Sequence, residues 1–85
     1  MAVVTMYSAH ACGYCSSAER LLRRKGVIGL RKILVDTEPG QLEQMIARTG
    51  RRTVPQVFID DRHVGGFEDL SALDRSGQLD RLLAR

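Results

Sequence analysis

Two cysteines three positions apart, in the segment HACGYCSSAE (10–19), constrain this chain more than any other feature. They are its only cysteines, and they lie where a short apolar run gives way to a helical pattern. Cys12 falls at the join and Cys15 inside the first helical turn, so their side chains share one face with Cβ atoms roughly 5–6 Å apart. This spacing permits a disulfide with little adjustment of the backbone.

Length and composition limit the fold and the class of partner. Eighty-five residues predict a single domain over residues 1–85, and 44% hydrophobic residues suffice for one compact core. The net charge of +3 comes from scattered arginines, which disfavours nucleic acid and suits a small anionic partner. The start MAVVTMYSAH lacks the features of a signal peptide, and no apolar run could span a membrane. We therefore expect a cytoplasmic protein without membrane contacts.

The spacing of apolar residues predicts the element order β-α-β-α-β-β-α. The predicted strands are residues 2–7, 30–35, 57–60 and a short one near 63–64. The predicted helices are residues 14–26, 39–50 and a terminal stretch through 83, capped by Asp69 or Ser71 and interrupted near Gly77. A strand–helix–strand succession favours a parallel crossover, and the tight turn at Asp60-Asp61 requires an antiparallel pair. The expected fold is α/β, with a four-stranded mixed sheet flanked by helices.

The position of the cysteine pair at a helix start favours redox chemistry. The N–H groups of a first helical turn lack intrahelical partners and the helix dipole is positive there, so a thiolate at Cys12 is stabilised. In such motifs the thiol pKa falls from about 8.5 to roughly 3.5–7.5. Cys12 is therefore the predicted nucleophile and Cys15 the resolving partner. His10 either supplies a nearby cation or is merely solvated, and the second interpretation is favoured.

Two other interpretations of the cysteine pair stay open at this point but are less favoured. A zinc site needs four ligands, and beyond the cysteines only His10 and His63 remain. A permanent structural disulfide is uncommon in the cytosol. His63, on the predicted hairpin, is expected to be structural.

Two segments are candidates for a substrate groove. Thr53-Val54-Pro55 precedes the third strand, where the Val54 backbone could pair with an extended peptide, unless the proline simply begins the strand. The segment 65–69 begins the last helix, where N–H groups can bind a carboxylate, unless the two glycines only end the hairpin. Asp69 could also pair with a ligand ammonium. The arginine pair 51–52 is either solvated or attracts an anionic peptide.

Three motifs in this order resemble the glutaredoxin family: C-G-Y-C after the first strand, T-V-P-Q-V-F-I before the hairpin, and G-G-x-x-D-L at the last helix. The chain is most similar to the small bacterial dithiol members, over essentially its whole length. The resemblance implies a thioredoxin-like fold, a cis bond before Pro55, and glutathione carried transiently on Cys12. The glutathione-binding residues that it implies are Tyr14, Arg52, Thr53, Val54, Pro55, Gly66, Phe67, Glu68 and Asp69.

Two positions depart from the usual family pattern, because Gly13 replaces a proline and Ala9 a lysine. Glycine at the first of these positions also occurs in relatives that hold a [2Fe–2S] cluster between two subunits. The expected function is a glutathione-dependent thiol–disulfide oxidoreductase, a monomer that acts on protein–glutathione mixed disulfides and on protein disulfides. The alternative is a homodimer whose Cys12 thiolates and two glutathiones hold a [2Fe–2S] cluster. A third possibility is a thioredoxin-like protein that is reduced by a reductase and does not depend on glutathione.

Overall fold

The computed structural model describes residues 2–84 as one four-stranded sheet with four helices packed around it. The strands are β1 (Val4–Ser8), β2 (Arg31–Leu34), β3 (Gln56–Ile59) and β4 (Arg62–Gly65). The helices are α1 (Gly13–Arg24), α2 (Gln41–Thr49), α3 (Phe67–Ser76) and α4 (Gln78–Leu83). None of these helices is long and apolar enough to cross a membrane.

The strand order is β2-β1-β3-β4, which makes β1 an inner strand of a mixed sheet. β1 pairs parallel with β2 and antiparallel with β3, and β3 pairs antiparallel with β4. The parallel pair needs a long connection, which α1 supplies, whereas Asp60 and Asp61 suffice to join β3 to β4. The predicted mixed sheet and both strand orientations are confirmed.

The alternation of side chains along β3 divides the core into two clusters. Val57 and Ile59 face the larger cluster, which α1, α3 and α4 cover, and Phe58 faces a smaller one with Tyr7 and Met45 of α2. Successive side chains of a strand point to opposite faces, so the run V-F-I fills both clusters. A strand buried on both faces fixes the position of the segment before it, residues 53–55.

The terminal helical stretch consists of two helices. Gly77 ends α3 and precedes α4 with φ of 82°, a left-handed conformation that costs glycine no Cβ clash. Helix α3 begins at Phe67 with Gly66 as its N-cap, so it starts earlier than a cap at Asp69 or Ser71 predicts. Asp69 acts from inside the first turn instead, because its carboxylate accepts the Gly66 N–H at 3.0 Å.

Candidate active site

The two cysteines form the beginning of α1. Cys12 is the N-cap residue, with φ −110° and ψ 110°, and its Sγ accepts the Cys15 N–H at 3.1 Å. The sulfur thus takes the place that a serine or aspartate oxygen has in most N-caps. The two sulfurs are joined in a disulfide, with the Cα atoms 5.2 Å apart. The geometry therefore places Cys12 Sγ at the positive end of the helix, beside first-turn amides that have no carbonyl partner within the helix.

The two sulfurs differ in exposure. Cys15 is 3% exposed and is one of the buried residues of α1, whereas Cys12 is partly exposed. The first turn of α1 carries no acidic residue, so nothing in that turn opposes an anion at Cys12. This difference in exposure favours the predicted roles, nucleophile for Cys12 and resolving partner for Cys15, which stay predictions.

The loop before Cys12 is tied to the segment after β2. The His10 N–H and its ring Nδ1 both lie within hydrogen-bond distance of Asp36 Oδ2, at 3.0 and 3.1 Å. These contacts, first of all the backbone N–H, lower the pKa of Asp36. His10 is therefore a largely exposed residue with a carboxylate partner, and Ala11 after it takes a positive φ of 53°.

A cleft of about 390 Å³ adjoins the first turn of α1 and gathers three segments that are distant in sequence. Tyr14 forms one side, and its ring centroid lies 6.2 Å from that of Phe67 at the start of α3. The Val54–Pro55 peptide bond is cis, as the resemblance implies. The residues that line the cleft are Tyr14, Arg51, Thr53, Val54, Pro55, Gln56, Gly66, Phe67, Glu68 and Asp69.

Eight of the nine glutathione-binding residues implied by the resemblance therefore lie together, and Arg52 does not line the cleft. Arg51 takes its place because its guanidinium is bound to Asp69 Oδ2 at 3.0 Å, whereas Arg52 is exposed outside the lining. The same contact lowers the pKa of Asp69, together with the Gly66 N–H. A ligand ammonium would have to compete with Arg51 for this carboxylate.

Sequence reasoning missed Gln56, which also lines the cleft. It is 1% exposed, and its amide contacts Thr53 and His63. A signal was available, because a glutamine that opens a strand as apolar as V-F-I is a buried polar group in need of partners.

The histidines of the zinc interpretation have partners other than the cysteines. His10 contacts Asp36, and His63 contacts Gln56. Within residues 2–84, no group of three or more histidine, cysteine, aspartate and glutamate side chains is arranged to hold a metal ion.

The glutaredoxin family model matches residues 4–64. Glutaredoxin 3 of Escherichia coli strain K12 is 48% identical over 83 residues, covering 98% of this chain and 99% of that protein. The buckwheat glutaredoxin–glutathione complex superimposes with a TM-score of 0.88 at 32% identity, over 98% of this chain and 77% of the other. The solution structure of Brucella melitensis glutaredoxin gives 0.84 at 43% identity, over 98% and 89% of the two chains. With its thioredoxin-like fold and its Cys12–Cys15 redox pair, the chain belongs to the glutaredoxin family and is a thiol–disulfide oxidoreductase.

Proposed function

We propose that this chain is a glutathione-dependent oxidoreductase that reduces protein–glutathione mixed disulfides and protein disulfides. The observation that carries the proposal is the position of Cys12 Sγ at the start of α1, with the cleft beginning at Tyr14, two residues further along the chain. The likeness to a buckwheat glutaredoxin in complex with glutathione adds support. We place the activity in the cytoplasm and assign it to one domain over residues 1–85.

The cleft offers a tripeptide two kinds of polar contact. The backbone of Thr53 and Val54 can pair with an extended peptide, in the manner of an added β-strand. The first-turn N–H groups of α3, residues 67–69, lie at the positive end of that helix and suit a carboxylate. Together they would hold glutathione along the cleft with its sulfur toward Cys12.

For a glutathionylated protein, the Cys12 thiolate attacks the sulfur of glutathione. The bond between Cys12 and glutathione forms as the bond to the protein sulfur breaks, and the protein leaves as a thiolate that takes a proton from water. The thiolate of a second glutathione then attacks the glutathione sulfur on Cys12. Glutathione disulfide is released and the Cys12 thiolate is restored, so this cycle uses one cysteine.

For a protein disulfide, Cys12 forms a mixed disulfide with the client and Cys15 resolves it. The Cys15 thiolate attacks Cys12 Sγ and expels the client thiolate, which leaves the Cys12–Cys15 disulfide seen in the structure. Two glutathiones then reduce this disulfide in succession, the first forming a mixed disulfide with Cys12. Only this second cycle needs Cys15.

The test is the turnover of a glutathionylated protein, with glutathione as the only reductant. Cys12→Ser should abolish turnover, and Cys15→Ser should retain it while losing the reduction of protein disulfides. An inactive Cys15→Ser protein would contradict the assigned roles. Full activity with a thioredoxin-type reductase and none with glutathione would favour the thioredoxin-like alternative.

A second candidate function is a [2Fe–2S] carrier, which one observation at Gly13 favours. Apart from its chain neighbours and the backbone of its own helix, no heavy atom of residues 2–84 lies within 4 Å of a Cβ built at Gly13, so the position beside the nucleophile is open. Cys12 would ligate the cluster from each of two subunits with two glutathione thiolates, and Cys15 is too buried to take part. The cluster would supply visible absorbance and one-electron chemistry.

Protein purified without oxygen, or reconstituted with iron, sulfide and glutathione, should then be a coloured dimer. Gly13→Pro should weaken the colour because a ring would fill the open position. A colourless monomer after reconstitution would exclude this function.

A further inference from the structure

Gln56 is the one buried residue of the cleft lining whose side chain carries an amide, and both ends of that amide are engaged. Its Nε2 donates to the Thr53 carbonyl at 3.0 Å, and its Oε1 lies 2.7 Å from Nε2 of His63. The residue is 1% exposed, so water does not satisfy these groups. A chain of hydrogen bonds thus runs from His63 on β4 through Gln56 to Thr53.

The Thr53 carbonyl determines which group donates and which accepts in each of these hydrogen bonds. The Thr53 carbonyl can only accept, so the amide nitrogen of Gln56 must face it and the amide oxygen must face His63. That oxygen can only accept as well, and His63 must therefore carry a proton on Nε2. The ring is neutral near pH 7, since burial, with Arg51 nearby, lowers the pKa of His63. The structure therefore assigns the neutral Nε2–H tautomer to His63.

Packing holds the ring of His63 in this position. Its centroid lies 5.1 Å from that of Phe58, the residue opposite it in the β3–β4 pair. The Arg48 guanidinium covers Phe58 at 4.0 Å. Gln56 and Phe58 are two apart on one strand, so their side chains share a face and the histidine reaches both. The donor is thus held by the sheet and not by a loop.

The Thr53 carbonyl matters because it belongs to the same peptide unit as the Val54 N–H. This unit is planar and trans, so the two groups point in opposite directions. A hydrogen bond that holds the carbonyl toward Gln56 therefore aims the Val54 N–H away from it. Within residues 2–84, this N–H donates to no backbone carbonyl. It is the group that an extended peptide in the cleft would use.

We propose that Gln56 and His63 are positioning residues, which fix the Thr53–Val54 peptide plane for the glutathione part of the substrate. The inference rests on the proposed function, since it assumes that glutathione lies along residues 53–55. Gln56 acts on the peptide directly, and His63 acts only through Gln56. Neither residue touches the reacting sulfurs, so their loss weakens substrate binding and leaves the chemical step intact.

Kinetics of the glutathionylated substrate test this assignment. Gln56→Met keeps the shape and removes both hydrogen bonds, so KM should rise by about threefold to tenfold, the worth of one net hydrogen bond. The value of kcat should stay within about twofold, as expected when binding common to ground and transition states is lost. Gln44→Met, at an exposed position of α2, is the matched control and should leave both constants unchanged.

The histidine variants separate positioning from simple stabilisation. His63→Phe should raise KM because the Gln56 amide oxygen loses its hydrogen-bond donor. His63→Gln places an N–H near the same point, so its KM should be close to that of the wild type. The double variant Gln56→Met/His63→Phe should be no worse than Gln56→Met, because the two residues act in series. An unchanged KM in Gln56→Met, multiplicative effects in the double variant, or a fall in kcat equal to that in kcat/KM would overturn the proposal.

A direct measurement does not depend on activity. Nitrogen NMR of His63 in the wild-type protein should show the proton on Nε2, and the Nδ1–H tautomer would refute the hydrogen-bond chain. If the wild type shows no glutathione-dependent turnover, the proposed function fails on its own. The tautomer still decides whether the chain of contacts exists.

Discussion

Replacing Gly65 with alanine should destabilise the protein at the start of α3, because the new side chain displaces the Asp69 carboxylate that caps this helix. Gly65 is buried at the end of β4 with φ of 117°, a backbone conformation that L side chains rarely adopt. A Cβ built there would clash with the Asp69 carboxylate, lying 2.8 Å from its Cγ. Asp69 could yield only by leaving the Gly66 N–H and the Arg51 guanidinium, each 3.0 Å away.

The expected loss of stability has two parts. The unfavourable backbone conformation costs about 1–3 kcal/mol for a residue with a Cβ. Loss of the helix cap adds about 1 kcal/mol, and the exposed ion pair with Arg51 adds little. The total is about 2–4 kcal/mol, and at roughly 4–8 °C per kcal/mol for a domain of this size Tm should fall by about 10–30 °C.

Thermal unfolding followed by circular dichroism, with both cysteines in one defined redox state, measures the effect. Gly29→Ala is the matched control, because no heavy atom of residues 2–84 other than its chain neighbours lies within 4 Å of its built Cβ, and its φ is not positive. It should change the free energy of unfolding by less than about 1 kcal/mol.

The clash itself can be isolated by adding Asp69→Ala. In that background Gly65→Ala should cost about 1 kcal/mol less than in the wild type, since the cap is already lost. Equal Tm shifts for Gly65→Ala and Gly29→Ala would refute the reasoning. If the free-energy changes of Gly65→Ala and Asp69→Ala were strictly additive, backbone strain alone would explain the effect of Gly65→Ala, and the proposed clash with Asp69 would be refuted.

Two further predictions concern charge. Lys25→Met should lower Tm, because Lys25 Nζ at the end of α1 forms ion pairs with Asp74 at 2.7 Å and with Asp80 at 3.2 Å. The decrease in Tm should be smaller in 1 M salt than in 0.1 M salt, since salt screens ion pairs. An effect independent of salt would point to packing of the stem instead. Acid should remove the contribution of Asp69 to the free energy of unfolding. The pKa of Asp69 in the folded protein is lowered, chiefly by Arg51. The stabilisation is therefore complete above the ordinary aspartate pKa near 3.9, and it is lost as pH falls through the lower pKa of the folded state. Asp69→Asn should flatten that part of a denaturation curve measured between pH 5 and pH 2, and an unchanged curve would show that Asp69 contributes nothing.

Short-range patterns in the sequence determined the elements and the chemistry. The three-residue spacing of Cys12 and Cys15 at a strand–helix join placed both sulfurs at a helix start, because that geometry depends only on neighbouring residues. The connection lengths determined which strands are parallel and which antiparallel, since a two-residue turn cannot join parallel strands. The motif order then identified residues 53–55 and 66–69 as one groove.

Only the tertiary structure decided the partners within that groove. Arg51 and Arg52 are equivalent in sequence, and Asp69, 18 residues beyond Arg51, decides which of them enters the cleft. The partner of buried Gln56 is His63 on the neighbouring strand, which the pairing of β3 with β4 brings within 2.7 Å. A hydrogen bond between residues that are distant in sequence depends on how whole helices and strands pack, and the spacing of neighbouring residues does not determine that packing.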